Sequence, residues 1–181
     1  MLHLDFTQIP TLRTERLILR PLHLADAAQI HLLRSNEEVN KFLDRKVSTG
    51  VEDAEAHIRM IENLNKEKKS VTWAITLKES TTLIGSICFW NFNNMHETVE
   101  LGYEMLPEFQ GKGLMIEAAK RVIQFAFEQM NVQSITAYLL KENLRSVGLL
   151  EKLNFNVMHN LSSLQDPHEN TTGTTNYILN K

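Results

Sequence analysis

The sequence predicts one mixed α/β domain, and three observations carry that prediction. The apolar spacing switches repeatedly between the repeat of an amphipathic helix and the two-residue alternation of a strand. A strand-like run, Thr98 to Leu106, leads through the glycine pair Gly111 and Gly113 into an amphipathic helix and then into another strand. The 181 residues carry no internal repeat and no change of composition that would divide them, so residues 1–181 read as a single domain with room for a substantial core.

Taken in order, Arg16 to Arg20 reads as a strand and Ala25 to Arg34 as a helix. Val51 to Lys66 places Ala54, Ile58, Ile61 and Leu64 at helical spacing, and Lys66-Glu67-Lys68-Lys69 reads as a solvated helix end. Val71, Trp73, Ile75 and Leu77 alternate with Thr72, Ala74 and Thr76, the pattern of a half-buried strand. Turns at Thr81-Thr82 and at Asn91 to Asn94 connect it to strands Leu83 to Trp90 and Thr98 to Leu106, an antiparallel meander. The helix after the glycines buries Met115, Ile116, Ala119, Val122, Ile123, Ala126, Phe127 and Met130 on one broad face, against a sheet. Ser134 to Leu140 follows as a strand, which makes a βαβ crossover and sets the flanking strands parallel. A short helix, Ser146 to Leu153, and final strands at Asn156 to His159 and Asn176 to Leu179 close the sheet. Leu161 to Thr175 between them reads as a long, mobile polar loop.

Hydrophobic residues make up 43% and charged residues 23% of the chain, and the net charge is −3, so no bulk attraction to nucleic acid or anionic membrane is expected. No apolar run approaches a membrane span, and Met1 to Asp5 does not open a secretory signal. Cys88 is the sole cysteine, which rules out an intrachain disulfide and suits a reducing cytoplasm; it reads as a small core residue. His96 to Glu100 lacks the second histidine of a zinc-protease helix, and no metal is expected.

Pro107 to Arg121 holds the strongest functional signal. Glycines between a strand and a helix let a ligand approach the backbone closely, and the helix N-terminus offers unpaired N–H groups with a partial positive charge. Lys112 adds a mobile cation, so the expected ligand bears a phosphate or pyrophosphate. Neither familiar nucleotide loop fits. No hydroxyl follows Lys112 to complete a Walker loop, and Ile116 stands where a dinucleotide fingerprint needs its third glycine.

Gln110-Gly111-Lys112-Gly113-Leu114-Met115 resembles the Gln/Arg-x-x-Gly-x-Gly/Ala signature of the GNAT N-acetyltransferases. Glu100-Leu101-Gly102-Tyr103 before it, Glu117-Ala118 after it, Asn143-x-x-Ser146, and Glu151 to Phe155 resemble the same family. Thr14 to Pro21 is similar to the opening strand of the branch that contains the N-terminal acetyltransferases of ribosomal proteins, and the likeness runs from about residue 11 to 180. It implies the GNAT fold, a mostly antiparallel central sheet with one parallel, splayed strand pair and flanking helices. It also implies acetyl-coenzyme A as cosubstrate, with a primary amine as acceptor. Two departures stand out. Met115 replaces Gly or Ala and is expected to narrow the pyrophosphate site, and Asn154 replaces the glycine before Phe155 in a turn.

The resemblance implies that Gln110, Gly111, Lys112, Gly113, Leu114 and Met115 cradle the pyrophosphate. Backbone groups of Glu104, Met105 and Leu106 would pair with pantetheine, an N–H near Met105 serving as oxyanion donor. Asn143 is a cofactor-binding candidate or a helix cap. Ser146 is the candidate acid for the departing thiolate, a cofactor contact, or itself the N-cap of its helix. The tyrosine that many relatives use one turn later is replaced by Leu150. Glu100 and Glu104 share one face of their strand and are the candidate bases, while Glu117 complements the helix dipole. Direct attack of the amine in a ternary complex needs no nucleophilic side chain. The acceptor stays open between a protein N-terminal α-amino group and a small amine such as an antibiotic or polyamine. A non-catalytic acyl-coenzyme A sensor is the competing class, and monomer and homodimer both remain open.

Overall fold

The computed structural model of the protein describes residues 1–4, 8–158 and 173–181. Strands β1 (Leu12–Arg13) and β2 (Leu17–Arg20) open the chain. Helices α1 (Ala27–Ser35), α2 (Glu37–Asn40) and α3 (Val51–Lys66) follow. Then come β3 (Val71–Leu77), β4 (Leu83–Asn93), β5 (Thr98–Met105), α4 (Leu114–Gln129), β6 (Ser134–Leu140), α5 (Leu144–Lys152), β7 (Asn156–Val157) and β8 (Thr174–Asn180). The sheet order is β1-β2-β3-β4-β5-β6-β8-β7, and only β5 and β6 run parallel. The predicted meander, crossover and closing strands are all present.

Both faces of the sheet are covered. Trp73 sits fully buried on the α4 side, edge-on to Phe89 and Phe125 at 6.2 and 5.6 Å, and its indole N–H donates to Pro10 O at 2.9 Å. The α4 face that meets this core runs from Leu114 and Met115 through Ala118, Ala119, Val122, Ile123, Phe125 and Ala126. On the other face α1 and α3 bring Ile30, Leu33, Ala54 and Ile58 against Ala74, Leu83 and Leu106. This double cover explains why β3 is buried from Val71 to Thr76 and not on alternate residues as its pattern suggested. Its second face carries the small residues Thr72, Ala74 and Thr76, which leave room for helices without looking apolar in sequence.

Several boundaries move for local reasons. Asn91 has φ 49°, and a register irregularity between Trp90 and Asn93 carries β4 through the residues expected to turn. A short helix, α2, appears where Asn36 caps Val39 N–H at 3.1 Å. Asn154 adopts φ 63°, the left-handed turn its place before Phe155 requires. His159 and the expected Leu161 to Thr175 loop fall largely outside the described residues, though Thr174 and Thr175 belong to β8.

Candidate active site

The site begins where two strands part. β5 and β6 pair at Thr98–Ser134, Val99–Ile135 and Glu100–Thr136, and no pair follows. From Leu101 onward the two strands diverge while β5 keeps its pairing to β4 through Met105. Backbone groups of β5 therefore alternate between β4 and the open side. Leu106 N–H donates to Ile84 O at 3.0 Å, and its carbonyl accepts from Phe109 N–H at 3.0 Å. Leu106, and Glu104 two residues before it, face β4 and not the splay. That corrects the expectation for both: of the three residues proposed to pair with pantetheine, Met105 alone turns toward the opening. Its carbonyl already accepts from Gln110 Nε2 at 2.7 Å. The alternation adds Tyr103, whose backbone faces the same way.

The glycine loop closes the end of the splay. A 3-10 turn, Pro107–Phe109, precedes it, and Gly111 and Gly113 both adopt positive φ, 72° and 75°. That region costs an L side chain about 1–2 kcal/mol, which is why glycine stands at both positions. The first helical bond of α4 is Glu117 N–H to Gly113 O at 3.1 Å, so the N–H groups of Leu114, Met115 and Ile116 point out of the helix end. Lys112 lies exposed, its ammonium 5.6 Å from the Phe109 ring. These are the residues that would hold a pyrophosphate: a turn of backbone donors with open space beside Gly111 and one mobile cation. Met115 offers its N–H there but not its side chain. Its side chain is buried in the core, so the expected narrowing of the site does not occur.

Two residues brace this loop that sequence reasoning did not assign to it. Arg16 donates from Nη1 to Lys112 O at 3.0 Å and from Nε to Glu117 Oε2 at 2.6 Å. Glu117 Oε1 also accepts from Thr14 Oγ1 at 2.5 Å and Arg16 N–H at 2.8 Å. Burial opposes the Glu117 charge, but these hydrogen bonds outweigh it and hold the carboxyl below its usual range. Glu117 therefore fastens α4 to the first strands in addition to lying at a helix N-terminus.

On the α5 side of the splay, Asn143 is the N-cap. Its Oδ1 accepts from Ser146 N–H at 3.2 Å, which leaves the Nδ2 group as a donor. The helix starts at Leu144, so Ser146 is not the cap that its residue type suggested. Its side chain instead lies beside the Tyr103 phenol, and burial pushes that phenol up to about 12. The Asn-x-x-Ser spacing was the signal for the cap. The odd-numbered register of β5 was the signal for Tyr103. Leu150 is fully buried, so its side chain does not enter the site where many relatives place a tyrosine.

The two candidate bases lie on the opposite face of β5, in different surroundings. Glu100 is 4% exposed and accepts from Asn91 Nδ2 at 3.3 Å. Glu104 accepts from Arg45 Nη1 at 2.5 Å and Ser86 Oγ at 3.2 Å. Cys88 is half-buried between them; burial and then the Glu104 and Glu100 charges push its thiol up to about 12, so it stays protonated. Ser146 and the glutamates thus occupy opposite sides of the strand from which the splay opens.

With this geometry in hand, comparison with known proteins decides the family. The acetyltransferase (GNAT) domain model matches residues 16–156. The chain belongs to the GNAT acetyltransferase family. It is 32% identical over 146 residues to the uncharacterized N-acetyltransferase YoaA of Bacillus subtilis, covering 81% of this chain and 82% of that protein. It is 25% identical over 140 residues to the spermidine N(1)-acetyltransferase of Escherichia coli, 77% of this chain and 72% of that one. Among solved structures, RimL, a ribosomal L7/L12 alpha-N-protein acetyltransferase in complex with coenzyme A, superposes with a TM-score of 0.80 at 14% identity, covering 94% of this chain and 98% of that one. The chain is an acetyl-coenzyme A-dependent N-acetyltransferase, and its cosubstrate supplies the acetyl group as an activated thioester.

Proposed function

We propose that this GNAT enzyme acetylates a primary amine by direct attack in a ternary complex, with a peptide N-terminus as the leading acceptor. The observation that carries the reading is the distribution of groups around β5. Backbone N–H groups of Tyr103 and Met105 face the splay, the Ser146 hydroxyl lies across it, and carboxylates occupy the other face. Those N–H groups suit an oxyanion, and Ser146, beside Tyr103, suits delivery of a proton to a departing thiolate.

Glu100 is the better candidate base. Protonating Glu104 would break its ion pair with Arg45 and leave a half-buried guanidinium without its carboxylate. We therefore assign the amine proton to Glu100, directly or through water. The test is a thiol-release assay across peptides, polyamines and other small amines. Turnover restricted to peptides with a free N-terminus supports the reading. Equal rates on peptides and simple amines refute the peptide preference, and tight coenzyme A binding with no release from any amine refutes the proposed catalytic site.

A further inference from the structure

Four elements meet beside Glu104 in a cluster that the acetyl-transfer chemistry does not use. Arg34 comes from the last turn of α1, Arg45 from the segment after α2, His57 from α3 and Glu104 from β5. Arg34 Nη1 lies 3.4 Å from His57 Nε2. Arg45 spends Nη1 on Glu104 at 2.5 Å and Nε on Asn40 Oδ1 at 2.7 Å. Its Nη2 is buried and has no hydrogen-bond partner among the described residues. Two guanidinium groups therefore share one carboxylate. Arg34 makes no ion pair with any carboxylate of the described residues, and Glu104 is already bonded to Arg45 and Ser86.

The imbalance is costly. A half-buried positive charge with no counter-charge, and a buried guanidinium nitrogen with no acceptor, both lose hydration without full return. The cluster shows that cost: burial and then the neighbouring Arg45 lower the Arg34 pKa, and burial together with Arg34 and Arg45 holds His57 neutral, with a pKa of about 4. Such a site is relieved by an oxyanion, which accepts from both guanidinium forks and supplies the missing charge. Its position matters too, since Glu104 shares the face of β5 that carries Glu100. A molecule whose amine reaches Glu100 and the end of the splay extends past Glu104 and meets the guanidinium pair.

We propose that Arg34 and Arg45 bind an oxyanion carried by the acceptor itself, so that the substrate is an amine bearing its own carboxylate or phosphate and not a polyamine. This rests on the acetyl-transfer reading above and narrows its acceptor. In a peptide the anion is an acidic side chain near the N-terminus; in a small acceptor it is a carboxylate or a phosphate ester. Neutral His57 adds a hydrogen-bonding group to the same wall without competing for the anion.

The experiment uses pairs of acceptors that differ only in charge: N-terminal peptides with Glu or Gln at the second position, an amino acid and its amide, and phosphoethanolamine and ethanolamine, with spermidine as a cationic control. The expected result is that the charged member of at least one pair has a kcat/KM at least tenfold above its neutral partner, mainly through KM. Which pair responds distinguishes carboxylate from phosphate. In Arg34→Gln that ratio falls toward one, and Arg34→Lys retains part of it; circular dichroism confirms folding of both. Neutral members or spermidine turning over as fast as the anionic ones, or a preference that survives Arg34→Gln, overturns the proposal. Calorimetric titration of the same pairs into the enzyme saturated with coenzyme A reads the anion site without turnover. Preferential binding of anionic members with no turnover would overturn the catalytic reading alone, whereas equal affinity within every pair would overturn the anion site.

Discussion

Glu104 and Arg45 form an ion pair at 2.5 Å, although 59 residues separate them in sequence. By strand register alone Glu104 is equivalent to Glu100; the pairing ties Glu104 to the segment after α2. The two substitutions should therefore differ in kind. Glu100→Gln is expected to lower kcat and remove the acidic limb of the pH–rate profile. Glu104→Gln should keep that limb and act mainly on the acceptor KM. Full pH profiles of both variants decide between the two carboxylates, and loss of the acidic limb in Glu104→Gln alone would reverse the assignment.

The glycine loop makes a second comparison available. Lys112→Ala removes one exposed cation and should weaken coenzyme A binding at most about fivefold. Gly113→Val puts a β-branched residue at φ 75°, a conformation that only glycine adopts easily, and so moves several donors at once. Its affinity should fall by roughly a hundredfold or more, since each charge-assisted bond contributes about 1.5–3 kcal/mol. Dissociation constants from calorimetry test the order, and a larger loss for Lys112→Ala would show that the lysine is the anion anchor.

Met115→Ala should behave as a core substitution. Truncating this buried side chain is expected to cost about 2–5 kcal/mol of stability, seen as a lower melting temperature. Coenzyme A affinity, measured well below that temperature, should stay within about twofold, because the side chain faces away from the loop. Tighter binding would mean that Met115 does crowd the pyrophosphate.

Ser146→Ala should reduce kcat by roughly a hundredfold, the usual contribution of a positioned acid, with little change in coenzyme A affinity. Tyr103→Phe keeps the acid but removes the phenol beside it, so a smaller loss of kcat is expected. The Tyr103 phenol, pushed up to about 12, keeps its proton throughout the working range. The wild-type profile should therefore show no alkaline limb from this residue below roughly pH 11. A limb near pH 10 that disappears in Tyr103→Phe would contradict that environment.

His57 supplies a stability test. Its pKa is lowered from 6.5 to about 4, so the unfolded chain takes up a proton before the folded one does. The stabilisation is complete above pH 6.5 and is lost as pH falls toward 4, a change of roughly 3 kcal/mol for a shift of this size. Urea unfolding at pH 7, 5.5 and 4 should show a shallower decline in His57→Gln than in the wild type. Identical slopes in that interval would show that His57 titrates normally.

What could be read from the sequence follows the range of the interactions involved. Strand alternation, helical spacing and the glycines before α4 are local signals, and they located the meander, the crossover and the loop at the helix start. The burial of β3 was not legible, because Thr72 and Ala74 look half-polar until two helices cover them. The direction of Met115 was hidden because a family signature marks a position and not the side of a helix. Asn143 and Ser146 are both good caps, and only the helix start separated them. The long-range neighbours at the site, the Arg45–Glu104 ion pair and Ser146 beside Tyr103, join distant elements and leave no periodic trace.

The clasp of Arg16 and Thr14 on Glu117 and Lys112 O crosses about a hundred residues of chain. It moves the structural border of the glycine loop upstream of any motif drawn around the glycines. A fragment cut to begin after β2 would retain every signature residue from Gln110 to Met115 and still lack the scaffold that shapes them. The smallest unit expected to bind the cosubstrate well therefore starts before Thr14, and changes in the opening strand would surface in binding assays as defects of a loop they never touch in sequence.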